Sequence, residues 1–244
     1  MQSIIEELRD DEEYYNGKGK YYLSNSDIYS LLTNPKLFRA RSEDSKHFHE
    51  GRLFHQLILE PEKAVNVPHV DVSTRNTKEY KKFLEDTGLS FALLTKEYNE
   101  IHDLVGVMKS NILFYDDIYK DGNIYEEPII GKIKGLDWKA KADIVSSDFL
   151  IDLKTTSDIN KFRWSAKSYN YDSQCYIYQQ LFGKPLYFYV IDKETQQLGL
   201  FRPSDEFIKG GEAKVERAME VYHKFFGPNK TEDIENYFIN ETLY

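Results

Sequence analysis

An α/β (α+β) sandwich, a mostly antiparallel central sheet flanked by helices, is the fold this 244-residue sequence predicts. Three observations lead there. β-branched and aromatic residues concentrate in five short runs after residue 123. Segments with apolar residues three and four apart lie before, between and after those runs. No repeat, low-complexity tract or linker interrupts the chain, so one domain is expected over 1–244. Its parts are an N-terminal extension (1–22), a helical part (23–122), the sheet with inserted helices (123–202) and C-terminal helices (203–244).

The acidic stretch from about 2 to 13 predicts a short helix, and Gly17-Lys18-Gly19-Lys20 a loop. Ser24 followed three residues later by Asp27 has the form of a helix N-cap. That helix ends near Asn34-Pro35, because the residue before proline avoids helical geometry. A second helix is expected from Asp44 to Leu59, stopping at Pro61, and a loop from Pro68 to Thr77. Thr77–Glu85 and Thr95–Ser110 read as helices, the latter with Tyr98, Ile101, Val105 and Met108 on one face. Strands are expected at Ile124–Ile133, Leu136–Val145, Phe149–Thr155, Leu186–Ile191 and Leu198–Phe201. Helical sequence from Asn160 to Phe182 separates the third strand from the fourth. Helices at Asp205–Phe226 and Glu232–Ile239 complete the chain.

A hydrophobic share of 41% suits a globular core. The one cysteine, Cys175, excludes an internal disulfide and any Cys-ligated zinc or iron–sulfur cluster within the chain. No apolar stretch approaches the roughly 18–20 residues of a membrane span. The N-terminus also lacks the basic segment and apolar run of a signal peptide, so a cytoplasmic location is expected. The net charge of −9 opposes strong binding to a polyanion by the chain as a whole. Local charge still matters, and Lys132, Lys134, Lys139 and Lys141 lie on the sheet strands, with Lys161, Arg163 and Lys167 just after them. There is no Gly-rich phosphate loop of the Walker type and no plausible Ser-His-Asp order.

The segment Gly135-Leu136-Asp137-Trp138-Lys139-Ala140-Lys141-Ala142-Asp143-Ile144-Val145, followed by Phe149-Leu150-Ile151-Asp152-Leu153-Lys154-Thr155-Thr156, is the most informative. A tight hairpin looping at Ser147-Asp148 sets Ser146 opposite Phe149 and Asp143 opposite Asp152. Directly opposed side chains have Cβ atoms about 4.5–5.5 Å apart, where two carboxylates repel. A divalent cation removes the conflict, and two carboxylates with open water positions suit Mg²⁺. Lys154 shares a face with Asp152 and can orient an attacking water. This is the layout of a metal-dependent phosphodiesterase.

These residues resemble the PD-(D/E)XK nuclease superfamily, with Asp143 as first acid and Asp152-Leu153-Lys154 as D-x-K. Leu23-Ser24-Asn25-Ser26-Asp27-Ile28 and Gly51-Arg52-Leu53-Phe54-His55-Gln56-Leu57-Ile58-Leu59-Glu60-Pro61 are similar to the N-terminal segments of RecE-like (exonuclease VIII) proteins. Tyr169-Asn170-Tyr171-Asp172-Ser173-Gln174-Cys175-Tyr176-Ile177-Tyr178 resembles that family's Q-x-x-x-Y helix. The likeness runs from about Leu23 to Val190. It implies a restriction-endonuclease-like core and a phage or prophage exonuclease on double-stranded DNA ends. It further implies 5′-to-3′ polarity, Mg²⁺ with Mn²⁺ able to substitute, and a recombination role beside a single-strand annealing protein. A homo-oligomeric ring around DNA is a property of relatives with this core.

Within that resemblance, Asp143, Asp152, His55, the Leu153 carbonyl and Glu127 are the expected metal ligands. Lys154 is the water-positioning group, and Gln174 and Tyr178, one helical turn apart, sit near the site. Glu126 and Glu127 point to opposite strand faces, and Glu127 is the one expected to face the metal. Gly51, one turn before His55, is expected to let its helix approach the sheet closely. His47 and His49 read as solvated, and Arg39 and Arg41 as contacts for a DNA backbone.

Overall fold

Polar residues that precede the apolar periods cap several of the helices. The computed structural model describes residues 3–40, 44–240 and 242. Within them α1 (Ile4–Glu7) and α2 (Asp11–Tyr15) start on Ser3 and Asp10, whose side chains accept from the backbone N–H groups of Glu6 and Glu13. α3 (Asn25–Thr33) starts on Ser24, whose backbone N–H donates to Asp27 at 2.8 Å, half of a capping box. α4 (Lys46–Leu59) is capped by Ser45, and α5 (Pro61–Ala64) is one further turn with proline at its first position. The two-residue strands β1 (His69–Val70) and β2 (Leu93–Leu94) pair in parallel around α6 (Lys78–Thr87). α7 (Thr95–Ser110) and α8 (Ile112–Ile118) follow.

The main sheet has five strands in sequence order: β3 (Ile124–Ile133), β4 (Leu136–Val145), β5 (Leu150–Thr156), β6 (Leu186–Asp192) and β7 (Leu198–Phe201). All pairings are antiparallel except β5 with β6, which is parallel. That crossover carries α9 (Phe162–Ser168) and α10 (Tyr171–Phe182), and α11 (Asp205–Phe225) ends the regular structure. No helix is long and apolar enough to cross a membrane, among the described residues.

β5 is buried on both faces, so it reads as the run Leu150-Ile151-Asp152-Leu153 rather than as an alternation. Ile151 and Leu153 pack with Ile144, Tyr189 and Ile191 against α4, α7 and α8, where Phe54, Leu53, Ile101 and Met108 are buried. Leu150, Phe188 and Val190 pack on the other face against Phe162, Ala166 and Cys175 of α9 and α10. A third cluster joins Trp138 and Ile133 to Leu23, Ile28, Ile177 and Val215.

α10 and α11 meet backbone to backbone at Gly211, where an added Cβ would lie 2.0 Å from the Asp172 carbonyl oxygen. Gly211→Ala is therefore expected to lower the unfolding free energy by about 1–3 kcal/mol, as overpacking does. Urea denaturation reads the change; an unchanged midpoint would show that the helices part at no cost.

Six expectations change. Lys18–Tyr21 forms a 3₁₀ turn where the sequence predicts a loop, and the predicted loop 68–77 contains the short strand β1. The acidic N-terminus forms two short helices, because Asp10 caps a fresh start. Residues 160–182 are broken at Asn170, whose φ of 59° ends one helix before the next begins. Glu232–Ile239 has only a 3₁₀ turn at Ile234–Asn236; Phe238 and Ile239 are exposed and give a helix nothing to pack on. Gly51 faces open space rather than a close approach.

Candidate metal centre at a fork in the sheet

The β4–β5 hairpin turns through Ser147-Asp148, with the Ser146 N–H donating to the Phe149 carbonyl at 3.0 Å. The strands pair at Val145↔Leu150 and Ile144↔Ile151, and there the ladder stops. The next register position brings Asp143 and Asp152 face to face. Asp143 fills the gap itself: its Oδ2 accepts from the Leu153 backbone N–H at 2.7 Å, replacing the lost strand partner. Beyond this point β4 stays with β3 and β5 with β6, so the sheet opens as a fork. The acids sit at its vertex.

His55 reaches the vertex from α4. A carbonyl can only accept, so the His55 Nε2–H donates to the Leu153 oxygen at 2.9 Å, while Nδ1 lies 3.5 Å from Asp143 Oδ2. Burial disfavours the imidazolium, but the Asp143 carboxylate outweighs it and raises the His55 pKa to about 9. Burial also works to raise the Asp143 pKa, yet His55, Lys154 and the Leu153 N–H hold it low.

Asp152 has both oxygens engaged. Oδ1 accepts from Gln174 Nε2 at 2.6 Å, and Oδ2 lies 2.5 Å from Lys154 Nζ. Burial and the Asp143 charge raise its pKa, with Lys154 opposing. Lys154 is kept firmly protonated: burial works against its charge, and Asp152 and the nearby Tyr171 ring, 5.1 Å from Nζ, support it. Tyr178 donates from its hydroxyl to the Lys141 carbonyl at 2.8 Å, tying α10 to β4 beside the fork. Its hydroxyl hydrogen is therefore used on the backbone.

The third acid is Glu126, not the expected Glu127. Ligand atoms of His55, Glu126 and Asp143 lie within 4.8 Å of one another. Burial and the Asp143 charge push the Glu126 pKa up to about 7. Glu127 is turned away and pairs with Arg9 at 2.6 Å. The reason is register. β3 and β4 turn through Lys134-Gly135, with φ of 49° and 88°, and Ile133 pairs with Leu136. Counting back from that two-residue turn puts Glu126 at the position opposite Asp143, where the ladder skips a pair and Glu126 takes a φ of 49°, with Glu127 paired to Ala142 on the other face. The Lys134-Gly135 pair was the signal that would have found it.

Several cations expected to meet DNA are used within the fold. Lys132 pairs with Asp137, and Lys134 with Glu212 and Glu216. Lys139 is buried, bonds the Tyr14 carbonyl and lies 4.2 Å from that ring's centroid. Lys141, also buried, pairs with Asp11 at 2.8 Å. The N-terminal helices thus cover one arm of the fork. Arg39 donates to the Tyr22 carbonyl and lies 3.8 Å from Asp27, and Arg41 lies outside the described residues. His47 is exposed, whereas His49 stacks on Phe91 with ring centroids 4.7 Å apart.

The donor set suits a hard divalent cation: an imidazole and the carboxylates of Glu126 and Asp143 converge where like charges otherwise repel, with Asp152 next to Asp143 in the register. With Nε2–H committed to the Leu153 carbonyl, Nδ1 is the nitrogen that would ligate a cation, on losing the proton that Asp143 favours in the cation-free protein. Gln174 holds Asp152 in place, so Gln174→Ala is expected to weaken cation binding about 10–100-fold. Calorimetric titration of Mn²⁺ into both proteins measures this; equal affinities would make Gln174 a helix-packing residue only.

Comparison with known proteins bears on the family and the fold. The family model described as "PDDEXK-like domain of unknown function (DUF3799)" matches residues 33–233. Among solved structures, the one named "Putative exonuclease", from Eubacterium rectale, has a TM-score of 0.63 at 17% identity, with 96% of each chain covered. At that identity the likeness establishes the fold. The structure of SSO0001 aligns over 71% of this chain and 86% of its own at 15% identity, with a TM-score of 0.31 that adds nothing on the fold. A search of curated proteins finds no match.

Proposed function

Because the chain belongs to the PDDEXK-like family, we propose that it is a metal-dependent nuclease, and specifically an exonuclease on linear double-stranded DNA. The observation that carries this reading is the convergence of His55, Glu126 and Asp143 within 4.8 Å at the vertex of the fork, beside the Asp152–Lys154 ion pair. The name of the Eubacterium rectale neighbour is consistent with it.

In this reading Asp143, Asp152, Glu126 and His55 Nδ1 would hold Mg²⁺, with Mn²⁺ able to replace it. When bound, the cation lowers the pKa of water and stabilises charge on the scissile phosphate. Asp143 keeps its carboxylate ionised at neutral pH through His55 and the Leu153 N–H. Lys154, held as an ammonium by Asp152, orients the nucleophile and stabilises negative charge on the phosphate; it does not take up a proton in that state. Gln174 fixes the rotamer of Asp152, and the Tyr171 ring backs the Lys154 ammonium.

The finer parts of the proposal follow the RecE-like resemblance: 5′-to-3′ polarity, a phage-type recombination role in the bacterial cytoplasm, a single-strand annealing partner and a homo-oligomeric ring. The test is digestion of end-labelled linear duplex with Mg²⁺, beside covalently closed circular duplex. Loss of the linear DNA alone is the expected result, and the order of label release gives the polarity. Cutting of the circle would make the protein an endonuclease. No cutting of either would point to a DNA-end-binding subunit.

A further inference from the structure

On the face of the sheet that carries Lys154 there is a second concave surface that the phosphodiester chemistry does not use. It is a cleft of about 640 Å³ between the 3₁₀ turn Ile159–Lys161, the start of α9 and the edge strand β7. Its walls carry Trp164, Arg163, Asn160, Gln197 and Phe201. Trp164 is 57% exposed, although a tryptophan of a folded protein is ordinarily well buried. The Arg163 guanidinium lies 3.9 Å from its ring centroid, and no carboxylate pairs with Arg163 among the described residues. The one acid in the wall, Asp158, is neutralised by Lys161 at 2.9 Å.

The position of the cleft relative to the candidate metal centre follows from the strand register. Lys154 pairs with Val190, and Val190 with Gly199, which lines the cleft. Residues paired across neighbouring strands point to one face, and strands lie about 4.8 Å apart, so the cleft begins about 10 Å from Lys154. Aromatic rings connect the two: Phe201 to Phe162 at 4.5 Å, Phe162 to Tyr171 at 5.8 Å, and Tyr171 to the Lys154 ammonium at 5.1 Å. Tyr169, 66% exposed, lies 5.9 Å from Tyr171 along the same route.

An exposed indole backed by an unpaired guanidinium, two amides and an apolar floor suits an unpaired nucleobase with its phosphate. Every base has a π-face to stack, and a cation beside the ring meets the backbone charge. We propose that this cleft binds single-stranded DNA, holding an unpaired nucleotide with its base on Trp164 and its phosphate on Arg163. The proposal rests on the nuclease reading for its choice of DNA as the ligand, but binding at the cleft is measurable without cleavage.

The chain has two tryptophans, and Trp138 is fully buried, so Trp164 alone can report by fluorescence. The Lys154→Ala protein in EDTA is titrated with oligodeoxythymidylate of about 12 nucleotides, within the usual single-strand site sizes. Saturable quenching is expected. It should vanish in Trp164→Phe, and the double variant Trp164→Ala, Arg163→Ala should bind a fluorescein-labelled oligonucleotide about ten-fold more weakly. Thermal melts of the variants control for folding. Binding without quenching, or equal affinity in the double variant, or no binding at all, would overturn the proposal. Mg²⁺-dependent cleavage by the wild-type protein, measured alongside, separates the two readings. Cleavage without quenching removes the cleft alone, whereas quenching without cleavage keeps the cleft and removes the nuclease.

Discussion

Replacing Lys154 with alanine is expected to lower Mg²⁺-dependent cleavage by about 10²–10⁴-fold, the range a positioned catalytic group contributes, while leaving divalent-cation binding intact. The two effects separate because Lys154 and a cation compete for one partner. Its ammonium lies 2.5 Å from Asp152 Oδ2, the oxygen that Gln174 leaves free. Removing the ammonium frees that oxygen for metal and removes a positive charge from the vertex. Affinity for Mn²⁺ should therefore hold or rise as the rate collapses. The fold should survive as well. Breaking a buried pair costs most when the remaining charge cannot neutralise, but the Asp152 pKa is already raised, so its carboxyl can take up a proton. Rate, calorimetric affinity and melting temperature, measured on one preparation, check all three. A variant that still cleaves would remove Lys154 from the mechanism; one that also loses the cation would make it a structural support of Asp152.

Much of this arrangement is legible from residues alone, and what is not has a physical cause. Alternation and β-propensity place the five strands nearly to the residue, because each is bounded by a short polar turn or a helix start. The Ser147-Asp148 turn then sets Asp143 against Asp152. Alternation by itself cannot say which of Glu126 and Glu127 faces inward, since one residue of slip exchanges the faces. The missing information lay one hairpin away, in Lys134-Gly135. The fates of Lys139 and Lys141 lay farther still. Both answer to Tyr14 and Asp11 in an N-terminal helix about 130 residues away along the chain, at Cα positions no local pattern brings together. The helix expected at Glu232–Ile239 fails for a related reason. Its apolar spacing is adequate, but helical stability in a protein comes mainly from a face to bury, and Phe238 and Ile239 have none.

Glu126→Gln should lose both cleavage and cation affinity, whereas Glu127→Gln should keep cleavage within a few-fold of wild type. The neighbouring residues differ in what they face. Glu126 shares the vertex with Asp143 and His55; Glu127 answers Arg9 on the opposite side of the strand. The cation-free protein offers a second readout with a definite sign. The Glu126 pKa rises from an ordinary 4.5 to about 7, chiefly through burial and then through the Asp143 charge. Between those values the folded protein holds a proton that the unfolded chain has released, so raising the pH destabilises the fold. This part of the stability is complete below pH 4.5 and lost as the pH passes 7. Glutamine cannot ionise, and removes it. In EDTA, the melting temperature of Glu126→Gln relative to wild type should therefore climb from pH 5 to pH 8. Adding Mn²⁺ at pH 8 should reverse the order, since only the wild-type protein gains stability from the bound cation. If Glu127→Gln were the variant to lose the cation and shift with pH, the register of β3 on β4 would be off by one residue, and the centre would have to be rebuilt around the other face.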